Sequence, residues 1–148
     1  LAASRRGHIS YLNYAMPLLR GLLKYRPPRI RLEVDGARAF EGHGQLIIGN
    51  IARYAFGMRI AQEAVASDGI FDACIFEYRH RMTLFWHVMT ALSGQHAGLP
   101  GVHAFRGRHF RVESDGPAPV QLDGDPAGTT PIEISVQTHK ATFLIPPE

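Results

Sequence analysis

The apolar positions change period along the chain. Within residues 10–25, Tyr11, Leu12, Ala15, Leu18, Leu19, Leu22 and Leu23 recur at i, i+3, i+4 and i+7, with Arg20 and Lys24 off the stripe. This spacing predicts an amphipathic helix. Pro17 bends it or shifts its start, and Pro27-Pro28 ends it, because proline lacks the amide donor and its ring clashes with the preceding turn. Residues 29–34 then alternate charged and apolar, which places Ile30, Leu32 and Val34 on one face of a strand. Further strands are expected over residues 37–40, over 45–51, where Leu46, Ile47 and Ile48 suit cover on both faces, and over 70–78.

The period turns helical again over residues 81–93. Met82, Phe85, Val88, Met89 and Leu92 share one face, and Gly94 stands where a C-terminal cap belongs. Trp86 falls off that stripe and is expected to pack in the core or on the helix rim. Strands follow over 103–113, 120–122, 132–137 and 141–145. Asp-Gly occurs at Asp35-Gly36, Asp68-Gly69, Asp115-Gly116 and Asp123-Gly124, and it favours tight hairpin turns because both residues tolerate positive φ. Many short strands, no repeat period and no internal linker argue for one mainly β domain over residues 1–148: an antiparallel β-sandwich with two helical additions.

Composition narrows the setting. The 148 residues, 45% hydrophobic and 20% charged, suit one globular core. Cys74 is the single cysteine, so no internal disulfide can form, and a reducing, cytoplasmic setting is expected; the thiol is read as buried packing. No apolar run approaches the ~20 residues of a membrane-spanning helix, and no signal peptide opens the chain, so a soluble protein is expected. The chain begins at Leu1 rather than Met, which favours a fragment. The net charge of +3 is local: residues 1–38 hold eight Lys or Arg against Glu33 and Asp35, and the remainder holds eight against eleven acids. That basic segment reads as a solvated face, or as a surface for an anionic membrane, a nucleotide or nucleic acid.

Autonomous chemistry finds little support. The eight histidines include no His-x-x-x-His pair, and His80, His87, His96, His103 and His109 read as polar or half-buried side chains rather than metal ligands. Neither a Gly-rich phosphate loop nor a Gly-x-Ser-x-Gly elbow is present. Two acidic turns remain, around Asp68 to Asp72 and around Asp123 to Asp125, and each alone is an ordinary turn.

Order and context give those turns more weight. Leu46-Ile47-Ile48-Gly49-Asn50, then Asp68-Gly69-Ile70-Phe71-Asp72 followed by a helix, Gly101-Val102-His103-Ala104-Phe105-Arg106-Gly107, Val120-Gln121-Leu122-Asp123-Gly124-Asp125, Pro131-Ile132-Glu133-Ile134-Ser135-Val136 and Phe143-Leu144-Ile145-Pro146 run in the order of the C-terminal half of a lipid kinase. The chain thus resembles the C-terminal domain of the diacylglycerol kinase and sphingosine kinase family. The resemblance implies a two-domain fold whose N-terminal nucleotide-binding domain is absent from this chain. ATP, bound mainly by that domain, and a lipid hydroxyl would meet in the cleft between the two. Asp125 would hold the acidic position of the family's Asp-Gly-Glu motif and carry the catalytic role, with Asp in place of the commoner Glu. Asp123 would support the turn and, with Asn50, lie on the substrate side. A structural Mg²⁺ would be held by the Asp68 side chain and the carbonyls of Val65 and Ile70.

Two readings follow. In one, the chain is the C-terminal domain of an ATP-dependent lipid kinase, inert by itself, that needs its missing domain, Mg²⁺ and a lipid substrate. In the other it is a non-catalytic β-sandwich module that binds lipid or protein. Contact with a membrane surface suits both, and a homodimer through the face that the missing domain would cover is a further expectation. No motif supports nucleic-acid recognition.

Overall fold

The computed structural model describes residues 26–53 and 58–137. The helix expected over 10–25 and the strand expected over 141–145 lie outside the described residues. Among the described residues eight strands and one helix follow in order: β1 (Arg29–Val34), β2 (Ala37–Gly49), β3 (Phe71–Glu77), α1 (Arg81–Leu92), β4 (Val102–Gly107), β5 (His109–Ser114), β6 (Pro119–Leu122), β7 (Asp125–Thr129) and β8 (Ile132–Ser135). Six of them form one antiparallel sheet in the order β4-β3-β2-β1-β5-β8, while β6 and β7 form a separate hairpin. The mainly β, antiparallel architecture is the one the alternation predicts.

β2 is where sequence and structure part. The two strands expected over 37–40 and 45–51 are one 13-residue strand. Its first half pairs with β1, from Val34↔Ala37 to Arg29↔His43, and its second half pairs with β3, from Gly44↔Glu77 to Gly49↔Asp72. Glu41-Gly42-His43-Gly44 looks like a break because glycine weakens a strand; in the fold those glycines let β2 change partners without ending. At Gly44 a Cβ would stand 2.8 Å from the Phe76 carbonyl oxygen and 3.2 Å from Ile75 Cγ2, so only hydrogen fits.

The switch folds the sheet over itself. Ile30 and Leu32 of β1 and Phe110 and Val112 of β5 pack with Ala73 and Ile75 of β3 in one buried cluster, although β1 and β3 are not neighbours in the hydrogen-bonded order. Leu32, Ile75 and Phe110 are wholly buried, each worth about 1.5–3 kcal/mol of transfer free energy. The alternate residues of β3, Cys74 and Phe76, face a second cluster with Ile60 and Ala91. Both faces of β3 are thus covered, and burial pushes the Cys74 thiol up to about 11, which fits a packing role. Leu46 and Ile48 pack on the first cluster and Ile47 on the second, so β2 is also covered on both sides there.

Turn chemistry holds at two of the four Asp-Gly sites. Asp35-Gly36 and Asp123-Gly124 make two-residue hairpins with φ of 50° and 82°, and of 51° and 96°. Asp68-Gly69 lies in the loop before β3, and Asp115-Gly116 leads out of β5 towards the separate hairpin. Residues 103–113 divide into β4 and β5 at Arg108, where the Asp35 carboxylate accepts from the Arg108 and His109 amides at 3.0 and 2.8 Å. β7, with the sequence Asp-Pro-Ala-Gly-Thr, carries no strand signal of its own and exists through its pairing with β6.

α1 occupies its predicted place and turns the other way. Leu84, His87, Thr90 and Ala91 are its buried residues, whereas Met82, Phe85, Met89 and Leu92 of the predicted stripe are 66%, 45%, 41% and 49% exposed. Trp86, expected in the core or on the rim, is 59% exposed. On the inner face Thr90 Oγ1 donates to the carbonyl of Trp86 at 2.9 Å, while Nδ1 of His87 is buried without a partner among the described residues. The His87 and His96 rings tilt against Phe76 with centroids 5.6 and 5.5 Å away. His96 Nε2 lies 3.0 Å from the Ile60 carbonyl oxygen. Gly94, at φ 71°, closes the helix as its position in the sequence predicts.

Two measurements check this packing. Gly44→Val drives a side chain into the Phe76 backbone and should lower the unfolding free energy by about 2–3 kcal/mol in urea. Burial holds the His87 imidazole below its ordinary value, with a hydrogen bond to the Pro100 backbone opposing the shift. Below pH of about 6.5 the unfolded chain therefore binds a proton that the folded chain resists, and stability falls with pH through that window. Thermal unfolding should show a lower Tm at pH of about 5 than at about 7.5, and His87→Leu should narrow the gap.

Candidate functional site

The β6–β7 hairpin projects both acidic candidates into solvent. Asp123 takes a left-handed backbone at the turn and Asp125 opens β7, paired with Leu122 across the hairpin. Both aspartates are exposed, and among the described residues neither carboxylate has a hydrogen-bond or ion-pair partner. The anchorage is at the base. Thr130 N donates to the Ala118 carbonyl at 2.9 Å, the Ala118 amide donates to Thr130 Oγ1 at 2.9 Å, and Ser114 Oγ meets the same hydroxyl. Two unneutralised carboxylates flanking one turn can bind a divalent cation or orient a hydroxyl once a second surface excludes water from them.

The second acidic turn gathers the remaining candidates. Asn50 follows the end of β2, and its Nδ2 donates to the Ala66 carbonyl at 3.1 Å. Asp68 N donates to the Val65 carbonyl at 3.1 Å, and Asp68 Oδ1 accepts from the Ile70 amide at 3.0 Å. Asn50, Val65, Asp68 and Ile70 therefore share one loop-and-strand-end region, and no hydrogen bond or ion pair joins them to Asp123 or Asp125.

Arg106 organises this region, and sequence reasoning gave it no role. It stands directly across from Asp72 in the β3–β4 register, and its guanidinium reaches Asp72 Oδ1 at 3.1 Å and Asp68 Oδ2 at 2.7 Å. Asp72 is 7% exposed. Its carboxyl is raised above the ordinary value by burial, against the lowering pull of Arg106, with Asp68 and Glu63 adding to the rise. Asp72 Oδ2 and Asn50 Oδ1 are buried acceptors without a partner. The pairing depends on a strand register that residue spacing does not encode, although the segments carrying Asp72 and Arg106 are both legible as strands.

Acceptor oxygens are thus in surplus here, which suits a hard cation, while both oxygens of Asp68 are already engaged with protein donors. Among the described residues no three His, Cys, Asp or Glu side chains are grouped to hold a metal ion.

A folded-over antiparallel sheet with an acidic hairpin held off its side defines a β-sandwich-like domain. Residues 2–144 match the family described as the YegS C-terminal NAD kinase beta sandwich-like domain, and the chain belongs to that family. Two curated relatives, each named diacylglycerol kinase and both from Mycobacterium tuberculosis (strains CDC 1551 / Oshkosh and H37Rv), are 32% identical over 136 residues. The match takes in 91% of this chain and 44% of each relative, so the chain spans less than half their length. A solved structure of a diacylglycerol kinase from Bacillus anthracis str. Sterne superposes with a TM-score of 0.61 at 16% identity, over 80% of this chain and 42% of that one. A candidate diacylglycerol kinase from the same organism gives 0.65 at 15% identity, over 88% and 45%. At those identities the solved structures establish the fold.

Removing Arg106 strands Asp72. Arg106→Ala should cost about 2 kcal/mol of unfolding free energy, and adding Asp72→Asn should recover part of that loss, because the buried charge disappears with its partner. A double-mutant cycle in urea measures both.

Proposed function

We propose that this chain is the acceptor-side half of an ATP-dependent lipid kinase that phosphorylates a lipid hydroxyl, diacylglycerol being the first substrate to test. The observation that carries the reading is Asp125: an exposed carboxylate with no partner among the described residues, on a hairpin that stands apart from the sheet, in a chain that belongs to this family. A nucleotide-binding domain would supply the opposing wall and most of the ATP contacts. Relatives more than twice as long as the aligned region, named diacylglycerol kinase, support that arrangement.

Phosphoryl transfer depends mainly on positioning and on neutralising charge. Asp125 would act at the cleft by helping to hold Mg²⁺ on the ATP phosphates or by orienting the lipid hydroxyl for in-line attack. Its side chain is one methylene shorter than Glu, so a bridging water suits the contact. Asp123 supports the turn and presents a second charge, and Asn50 lies on the substrate side. Asp68, with the carbonyls of Val65 and Ile70, would hold a structural Mg²⁺, and the unpartnered Asn50 Oδ1 and Asp72 Oδ2 favour a cation in that region. The working location is the cytoplasmic surface of a membrane, where the lipid resides.

A second reading is supported by the outward apolar face of α1: a non-catalytic module that binds lipid or protein through that face.

The test uses the uninterrupted gene product that carries this chain, assayed for Mg²⁺-dependent transfer of phosphate from ATP to diacylglycerol and to sphingosine. Asp125→Asn should lower turnover by about 100-fold with an unchanged Tm, since the side chain is exposed and has no hydrogen-bond or ion-pair partner among the described residues. Activity that survives the substitution removes Asp125 from the mechanism. Absence of any lipid phosphorylation favours the binding module.

A further inference from the structure

At 100° per residue, Met82, Phe85, Trp86, Met89 and Leu92 fall within an arc of about 120° on α1, and all five are exposed. A water-soluble surface rarely gathers Trp, Phe, Leu and two Met on one helical face without a use for them. Met82 also lines a groove of about 660 Å³ at the start of the helix, together with Arg26, His43, Arg79, His80 and Arg81. The apolar face therefore runs directly into a cationic recess.

The charges around it are one-sided. Residues 78–112 contain no Asp or Glu, and α1 itself carries no acid. Arg29, Arg31, Arg38, Arg106 and Arg111 are paired with carboxylates on the sheet or in the turns beside it. In the groove Arg79 meets Glu77 only at 3.4 Å, and among the described residues Arg26 and Arg81 have no acidic partner. A row of apolar side chains ending in unneutralised cations is the pattern of a helix that lies in the interface of an anionic bilayer, its ring and thioether groups below the headgroups and its cations at the phosphates.

We propose that this face of α1, with the groove at its start, seats the protein on an anionic phospholipid bilayer. Phe85, Trp86, Met89 and Leu92 enter the headgroup–acyl boundary, and Arg26, Arg81 and His80 meet lipid phosphate in the groove. A second copy of the chain is a poor occupant, because a two-fold contact through this face would bring two cation sets together with no acid on either helix. The assignment deepens the lipid-kinase reading by naming the surface that meets the substrate's phase, but its test involves no phosphoryl transfer.

Trp86 is the single tryptophan of the 148-residue chain, so its fluorescence reports on the proposed surface alone. The chain is titrated with vesicles of phosphatidylcholine, with and without phosphatidylglycerol. With phosphatidylglycerol present, Trp86 emission should shift to the blue and become shielded from acrylamide, and raising salt from about 0.1 M to about 0.5 M should weaken binding about tenfold. Phe85→Ser with Met89→Ser should weaken it by at least about tenfold at an unchanged Tm, and Arg26→Gln with Arg81→Gln should remove the preference for the anionic lipid. Asp125→Asn should bind vesicles as the parent does, which separates this surface from the catalytic assignment. Unchanged Trp86 emission on both vesicle types overturns the proposal. So does a blue shift that grows with protein concentration without lipid alongside a dimer in sedimentation, since a second copy then covers the face.

Discussion

Every other feature of the described chain depends on the change of partner within β2. A strand that leaves β1 and joins β3 halfway along its length turns one hydrogen-bonded sheet into two layers. The bend is possible because Gly44 lets the backbone meet the Phe76 carbonyl at a distance that no side chain would allow. From that crossing come the enclosed cluster of Leu32, Ile75 and Phe110, the double burial of β3, and the free outer face of β3 on which α1 lies. The acidic loop before β3 inherits its place from the same geometry, because Gly49 and Asp72 are register partners at the end of the shared strand.

Much of this was legible in the residues. Alternation placed β1, an apolar run placed β3, the Asp-Gly dipeptides placed two hairpins, and the ordered motifs pointed to the family. The failures share a cause. Gly42 and Gly44 looked like a stop because a glycine's local propensity says nothing about a tertiary approach that requires it. α1 was read with its most apolar stripe inward, but the room beneath it is shaped for two imidazoles tilted against Phe76 and for small or hydrogen-bonded side chains. Arg106 escaped notice because its role exists only once β3 and β4 are in register. Asp125, by contrast, was nominated entirely by resemblance; nothing in an exposed turn distinguishes it on its own.

The molecule also sorts its charges by surface. Around the β1–β5 strands, arginines and glutamates interleave and neutralise one another, as in the Arg31 side chain that reaches Glu41, Glu113 and Asp115. From Tyr78 to Val112, a stretch that includes α1 and β4, no Asp or Glu occurs. One side is therefore electrostatically closed and the other is open to an anionic partner.

The attachment of the β6–β7 hairpin carries a mechanical consequence. Its fixed points, Ser114, Ala118 and Thr130, lie at one end, and the two aspartates lie at the other with no hydrogen-bond or ion-pair partner among the described residues. Such an element behaves as a lever: a displacement of a few tenths of an ångström at the Thr130 hydroxyl is enlarged at the Asp125 carboxylate. The aim of the carboxylate is then set by the side chains at the base of the hairpin rather than by the turn that carries it.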